Sequence, residues 1–294
     1  MSDGTARLAV LAAAAVGVQV GAAIVATRFV VGQTGPASLA LLRYAIGFLC
    51  LLPLALAAGG VRFERRDLLP IALLGIIQFA VVIALLNYAL QTVPSARVAL
   101  LFATFPLMTM LLAAVLGRES LTVRKSAGVA LTVVGVGIVL GEKAFAAGTS
   151  VEEWLGTLAV LLSALAGALC SVLYRPYLRK YDALTVGTFA MLASVGFLAL
   201  LAGGESFFDG APRITAAGWG AVLFIGVSSG IGYFLWLWAL RHTTPTRVTV
   251  FLALSPVTAA ILSAALLGEA VTWQLAAAIA VLSAGLWLAL RAPA

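Results

Sequence analysis

Charge is scarce in this sequence. Asp, Glu, Lys and Arg make up 10% of its 294 residues, whereas they make up about 25% of an ordinary soluble domain. Hydrophobic residues account for 63%, and the mean hydropathy is +1.13. Lipid is therefore the expected solvent for most of this surface, and the composition excludes an ordinary water-soluble domain.

Histidine and cysteine are nearly absent as well. The chain has one histidine, His242, and two cysteines, Cys50 and Cys170. Both cysteines lie inside apolar runs, where they are expected to be small buried side chains and not a disulfide framework. No cofactor and no metal site are predicted. An intramembrane enzyme would need paired catalytic groups at depth, and since none is found, the chain is not expected to be an enzyme.

Acidic residues are missing from the middle of every apolar run, and no P-loop sequence occurs. These absences exclude an ATP-driven pump and leave a proton relay on a buried carboxylate without support. Glu119 and Glu269 stand at predicted helix ends, where a capping role is expected.

Apolar segments long enough to span a bilayer occur ten times. A spanning helix needs roughly 20 such residues, and the segments lie at residues 8–30, 37–58, 68–90, 95–117, 123–141, 153–175, 183–203, 217–240, 245–267 and 272–291. The predicted fold class is thus an all-α polytopic membrane protein. The first segment is too long for a signal-peptide core, so we expect it to remain uncleaved.

The basic residues predict the orientation of these helices. With the N-terminus in the cytoplasm, 13 Lys and Arg residues fall in inner loops and 4 in outer ones, while Arg43 lies within the second helix. The net charge of +7 is therefore a topology signal and not an indication of nucleic acid. The sequence predicts a multi-pass protein of the cell inner membrane with both termini cytoplasmic.

An internal duplication divides the chain. Residues 88–140 and 238–290 align without a gap at an offset of 150, and fifteen positions are identical. Residues 24–31 and 171–178 align more weakly, at an offset of 147. Each half holds five helices, and an odd number inverts the second copy relative to the first. We therefore predict two inverted repeats, 1–141 and 153–294, joined by a loop at 142–152.

Polar residues at mid-membrane depth are the first candidates for a binding site. Gln19, Gln78, Ser228 and Ser229 lie near the centres of the first, third and eighth helices. Because an unpaired polar group is costly at that depth, they predict a shared midplane site. The alternative is that they only join helices by hydrogen bonds.

Aromatic residues extend this candidate site. Helical spacing places Tyr233 and Trp236 on the same face as Ser229, where they could stack an apolar solute, and Phe79 is a further candidate. An interfacial aromatic belt is the alternative for Tyr233, and the belt is the favoured interpretation for Tyr174.

Two prolines and one arginine complete the candidates. Pro106 and Pro256 stand at equivalent mid-helix positions, where each removes a backbone hydrogen bond and forms either a gating hinge or a static bend. Arg43, a charge well inside a span, could attract a substrate carboxylate. It could equally extend outward as an anchor.

The two aligned stretches carry a family resemblance. Residues 97–140 and 247–290 each have a helix with proline, then a Gly-Glu-x-x-Thr pattern, then a Gly-rich helix, although Arg118 separates Gly from Glu in the first copy. Together with LLRYAIGFL at 41–49, they resemble EamA-type members of the drug/metabolite transporter superfamily. Within it, the chain is most similar to YddG-type aromatic amino-acid exporters.

This resemblance implies ten helices and export of small metabolites, most readily amino acids including aromatic ones. With no ATP site, we expect alternating access by facilitated diffusion or exchange. The alternative is a multidrug or nucleotide-sugar type carrier, in which proton coupling is an option. The expected partners are a small-molecule substrate and the lipid bilayer, and the protein is expected to be a monomer.

Overall fold

The computed structural model describes residues 3–57, 63–118, 122–124, 126–128, 130–131, 134–135, 137–138, 150–210 and 213–290. Within them the ordered backbone is helical. The α-helices are α1 Asp3–Val30, α2 Pro36–Ala57, α3 Arg65–Gly75, α4 Val82–Ala89, α5 Ser95–Phe102, α6 Phe105–Val115, α7 Val151–Leu173, α8 Arg175–Lys180, α9 Ala183–Gly204, α10 Ala216–His242, α11 Pro245–Thr249, α12 Leu254–Leu267 and α13 Trp273–Leu290. Glu119, residues 142–149 of the predicted loop and eight residues of the predicted segment 123–141 lie outside the described residues.

Eight helical stretches in this described part are long and apolar enough to cross a membrane. They correspond to the first four and to the sixth through ninth predicted segments. The tenth coincides with α13, whose apolar stretch Trp273–Gly285 is shorter. Many large apolar side chains face outward, including Leu69 at 67% exposure and Leu200 at 76%. Such a surface suits lipid and not water.

Helices of the two halves pack mainly against each other. Helix α1 contacts α10 and α12, and α2 contacts α9 and α10. Helix α7 contacts α4 and α6, and α9 also contacts α3. The core therefore lies between the halves and not within each of them.

Glycines permit the closest crossings between halves. Gly226 and Gly230 of α10 face α2, where a Cβ atom built on Gly230 would lie 3.0 Å from the carbonyl oxygen of Gly47. Gly17 and Gly21 of α1 lie in the same way against the backbone at Phe251 and Ser255. The two glycine pairs thus serve helix packing.

Breaks in the helices occur close to both mid-helix prolines. Helix α5 ends at Phe102 and α6 begins at Phe105, while a 3-10 segment, Val250–Ala253, precedes α12. A proline has no N–H for the carbonyl four residues earlier. At Pro256 that carbonyl belongs to Leu252, and it accepts a 2.6 Å hydrogen bond from Ser255 Oγ.

A π-helical segment, Ile76–Val81, separates α3 from α4. It contains Gln78 and Phe79, two of the predicted site residues. The matching stretch of α10 is continuous α-helix. Segments of this kind frequently mark functional positions in helices.

One end of the bundle, which we call the Glu269 end, is joined by carboxylates. Glu269 accepts hydrogen bonds from Ser95 N at 3.0 Å and Ser95 Oγ at 3.2 Å, and lies 3.6 Å from Arg28 Nε. It thus caps α5, a helix of the other half, so the expected capping role is confirmed for this residue. Glu205, which the sequence did not indicate, caps α2 through Ala37 N at 2.9 Å and Ser38 N at 2.8 Å.

The opposite end, which we call the Lys180 end, also joins the halves. Lys180 Nζ lies 2.6 Å from Asp67 Oδ2 and 2.5 Å from Glu64 Oε1. The hydrogen bond from Lys180 holds the pKa of Glu64 below its usual value. Tyr181 donates to the same Asp67 carboxylate at 2.5 Å. Both ends of the bundle therefore carry polar contacts between halves.

Candidate functional site

A cavity lies between the two halves, in the middle of the bundle. It holds about 670 Å³ of empty space, part of it open to the surroundings. Residues of α1, α2, α4, α5, α6, α10, the π segment and the 3-10 segment line it. Because the contacts between halves form its walls, any rearrangement of one half against the other changes its shape.

Polar residues predicted from their depth lie on its wall. Gln19, Gln78 and Ser229 all line the cavity. Ser228 is not among the lining residues, and its Oγ accepts a 3.1 Å hydrogen bond from Gln19 Nε2. Gln19 therefore both joins α1 to α10 and faces the cavity, so the two interpretations of this residue are compatible.

Arg43 also lies on the wall. Its Nε donates to Ser229 Oγ at 2.7 Å, and its guanidinium carbon is 5.5 Å from the centroid of the Tyr44 ring. Ser229 is at the middle of α10. The guanidinium is thus held at mid-bundle depth, and the structure does not place it as an outward anchor.

Five aromatic rings also lie on the wall, among aliphatic side chains. Tyr233 and Trp236 line the cavity, together with Tyr44, Phe102 and Phe105. The rings of Phe105 and Trp236 meet edge to face with centroids 6.0 Å apart. Such rings offer a flat apolar surface to a solute.

Phe79 and Tyr174 lie behind this wall. Phe79 is 1% exposed and is not a lining residue; its ring packs between Tyr44 at 4.7 Å and Tyr233 at 4.2 Å. Tyr174 is also 1% exposed. The interfacial belt is therefore the wrong interpretation of Tyr174, because α7 continues into α8 and buries this ring inside the bundle.

The hydroxyl groups of Tyr174 and Tyr233 are buried, and neither makes a hydrogen bond of normal geometry within the described part of the chain. An unpaired buried hydroxyl costs free energy. Tyr233 lines the cavity whereas Tyr174 does not, so a bound solute can relieve this cost only at Tyr233.

Pro106 and Pro256 are not lining residues. The cavity is lined beside each break by other side chains, Phe105 next to Pro106 and Leu252 four residues before Pro256. The sequence did not indicate Phe102, Phe105 or Tyr44 as site residues. A proline signals that a helix breaks there, but not which neighbouring ring the break turns inward.

The chemistry of this wall is that of a binding site. Among its residues are two amides, one hydroxyl held by a guanidinium, and five aromatic rings, with no carboxylate. No group of three or more His, Cys, Asp or Glu side chains that could hold a metal occurs in the residues that the structure describes. A mostly apolar cavity with a few convergent polar groups is typical of small-molecule sites.

The sequence belongs to the EamA-like transporter family, which it matches over residues 7–141 and 154–291. With its apolar helices, this makes the protein a multi-pass membrane transporter. The family contains transporters, and no enzyme family is indicated.

Relatives extend along most of the chain. A terminal-alkyne amino-acid exporter, named as probable, from Streptantibioticus cattleyicolor is 31% identical over 80% of this chain and 77% of its own. An uncharacterized transporter from Archaeoglobus fulgidus is 26% identical over 92% and 94%. The crystal structure of a protein 24% identical to this chain has a TM-score of 0.74 over 98% of this chain and 97% of its own, a likeness of fold.

Proposed function

We propose that this protein exports small metabolites, most readily amino acids including aromatic ones. The observation that carries the proposal is the central cavity, where Gln19, Gln78 and Arg43 face an aromatic wall. Amide and guanidinium groups suit the polar end of an amino acid, and the rings suit an apolar side chain. The relative from Streptantibioticus, named as an amino-acid exporter, supports the same substrate class.

Transport in this proposal uses ten helices in two inverted repeats that alternate around the cavity. The contacts between halves come in matching pairs, which supports this arrangement. Helix α1 packs on α10, and its counterpart α7 packs on α4; α2 packs on α10, and its counterpart α9 packs on α3 and the π segment. The Glu269 end faces outward, and both termini lie in the cytoplasm of a monomer in the inner membrane.

The driving force in this proposal is the gradient of the substrate itself, by facilitated diffusion or exchange. The cavity wall has no carboxylate to carry a proton. For the same reason a carrier of cationic drugs is the weaker alternative. Export from liposomes should therefore proceed without a pH gradient, and a strict requirement for one would contradict the proposal.

A counterflow assay in liposomes tests the substrate site. Uptake of each of the twenty amino acids and a few drugs is measured with the wild-type protein and with Gln19→Ala and Gln78→Ala. We expect uptake of one or more amino acids, and a loss in both variants, since each amide faces the cavity. Gln91→Ala, at an exposed position, is the matched control. Wild-type uptake of no amino acid would contradict the proposal.

A further inference from the structure

One fixed charge lies at the centre of this protein. Arginine keeps its positive charge in proteins, and Arg43 is held at mid-bundle depth by its 2.7 Å hydrogen bond to Ser229. In the described residues no carboxylate lies within ion-pair distance of its guanidinium. All of the described ion pairs lie near the ends of the bundle. Among the described lining residues, the cavity therefore has a net positive charge and no counterion.

Such a charge is costly until an anion joins it. A cation at this depth loses hydration, and the partners that the described residues give Arg43 are uncharged: the Ser229 hydroxyl and the face of the Tyr44 ring. A carboxylate accepts two parallel hydrogen bonds from a guanidinium, a geometry that an uncharged group cannot match. Nε is already bonded to Ser229, which leaves the terminal nitrogens for such a ligand.

Among the described lining residues, no side chain offers a fixed negative charge to an ammonium group. Neutral acceptors are present, since Gln19 uses its Nε2 on Ser228 and keeps its Oε1 for other partners, and Gln78 also faces the cavity. Neutral oxygens can bind an ammonium but give it no fixed opposite charge. The cavity therefore offers a fixed opposite charge to the carboxylate of an amino acid but only neutral acceptors to its ammonium group.

We infer that Arg43 makes this a site for carboxylates with an apolar or aromatic body, in which the carboxylate is required and the ammonium is not. The inference rests on the proposed function for the location of the site and narrows its substrate class. It extends that class from amino acids to monocarboxylates that lack an amino group, and it excludes amines that lack a carboxylate.

The test uses three probes with one phenyl body: phenylalanine, 3-phenylpropionate and phenethylamine. Binding to the purified full-length protein is measured by calorimetry and by thermal stabilisation, without need of transport. We expect the two carboxylates to bind and phenethylamine to bind about tenfold more weakly or worse, the ratio that a charge-assisted hydrogen bond provides.

Variants at Arg43 test whether this residue causes the preference for carboxylates. Arg43→Gln should lower the affinity for 3-phenylpropionate about tenfold or more and leave that for phenethylamine unchanged or higher. Arg43→Lys keeps the charge and should keep the preference for carboxylates. Arg213→Gln, at an exposed position of the Glu269 end, is the matched control. If Arg43→Gln does not fold, the order of affinities of the three probes for the wild-type protein and for Arg43→Lys still tests whether the carboxylate is required.

Equal binding of phenethylamine and 3-phenylpropionate would overturn the inference, as would binding of phenylalanine alone or of none of the three. Each of these results leaves the export proposal intact if counterflow of an amino acid is observed. Failure of all counterflow together with the expected ranking of probes would instead overturn the export proposal and keep the carboxylate site.

Discussion

At the residue scale, Tyr233 and Tyr174 form a natural comparison. Each buries a hydroxyl that makes no hydrogen bond of normal geometry in the described residues, but only Tyr233 lines the cavity. Replacing either with phenylalanine removes an unpaired polar atom, so the melting temperature should stay the same or rise by a few degrees. Tyr233→Phe should also raise KM for transport several-fold, because the solute loses a hydrogen-bonding partner.

The matched variant Tyr174→Phe should leave KM unchanged while giving the same thermal effect. Melting in detergent and concentration-dependent counterflow provide the two readouts. An equal rise in KM in both variants would mean that the hydroxyls act through packing and not through the solute.

The position of a polar residue along its helix was enough to predict that it faces the centre of the bundle. The direction of a side chain beside a helix break could not be predicted in this way. Gln19, Gln78 and Ser229 were predicted from their mid-span positions, and all three line the cavity. Ser229, Tyr233 and Trp236 follow the period of one straight helix. Phe105 could not be predicted, because its ring faces the cavity only where α5 and α6 separate and the period is lost.

At the scale of helices, Gly230 and Gly220 of α10 should respond to alanine in opposite ways. A Cβ atom on Gly230 would lie 3.0 Å from the carbonyl oxygen of Gly47 and 3.1 Å from its Cα, and backbone cannot easily yield. Gly230→Ala should destabilise the protein by about 1–3 kcal/mol. Gly220 has nothing within 4 Å, so Gly220→Ala should be neutral or stabilising through helix propensity.

Thermal unfolding of the two variants in the same detergent measures this difference. Destabilisation of similar size at both positions would show that the close approach of α10 and α2 does not limit stability. The partner helix of Gly230, α2, is known only from the tertiary structure.

Residue types also indicate some helix caps and helix breaks. Ser150 caps α7 through a 3.2 Å bond from Glu153 N, and Thr272 caps α13 through a 3.2 Å bond from Leu275 N; residues of this type commonly occupy such positions before a helix. The prolines predicted breaks. The π segment Ile76–Val81 contains no proline or glycine, and the sequence did not indicate it.

At the scale of the whole molecule, the contacts at the Glu269 end hold the halves together. Glu269→Gln removes the charge that binds Ser95 and faces Arg28. If these partly exposed contacts contribute about 1 kcal/mol, the population of molecules open at this end should rise about fivefold.

Cysteine labelling can measure that population. Leu86 lines the cavity, three residues before α4 ends at the Glu269 end. In a Cys50→Ser, Cys170→Ser background, Leu86→Cys should react about fivefold faster with an impermeant maleimide when Glu269→Gln is added. Asp209→Asn, exposed at the same end, should change nothing. Slower or unchanged labelling would show that Glu269 does not hold this end closed.

Composition and hydropathy were enough to predict a helical, multi-pass membrane protein. The motifs at residues 97–140 and 247–290 carried the resemblance to the family, and the family match confirms it. The pairing of helices was beyond the sequence, because nearly every surface in such a chain is apolar and many pairings satisfy it equally well. Carboxylates such as Glu205 join helices that are far apart in the chain, and no local pattern identifies these contacts.

The π segment also bears on the alignment of the proposed repeats. After it, buried positions of the third and eighth spans match at the offset of 150, as with Leu86 and Trp236. Before it they match at 151: Gly75 packs on Ala190 as Gly226 packs on Ile46, and Ile71 and Val222 are both 0% exposed.

A π turn accommodates one residue more than an α turn. In the proposed repeats, the first half therefore has one residue more than the second half at this point. A gapless alignment of the two halves hides this extra residue, because a shift of one residue within a helix lowers the number of matching positions. Gln78 lies within the segment, so its equivalent position in the second half is either Ser228 or Ser229. Ser228 accepts a hydrogen bond from Gln19, and Ser229 accepts one from Arg43.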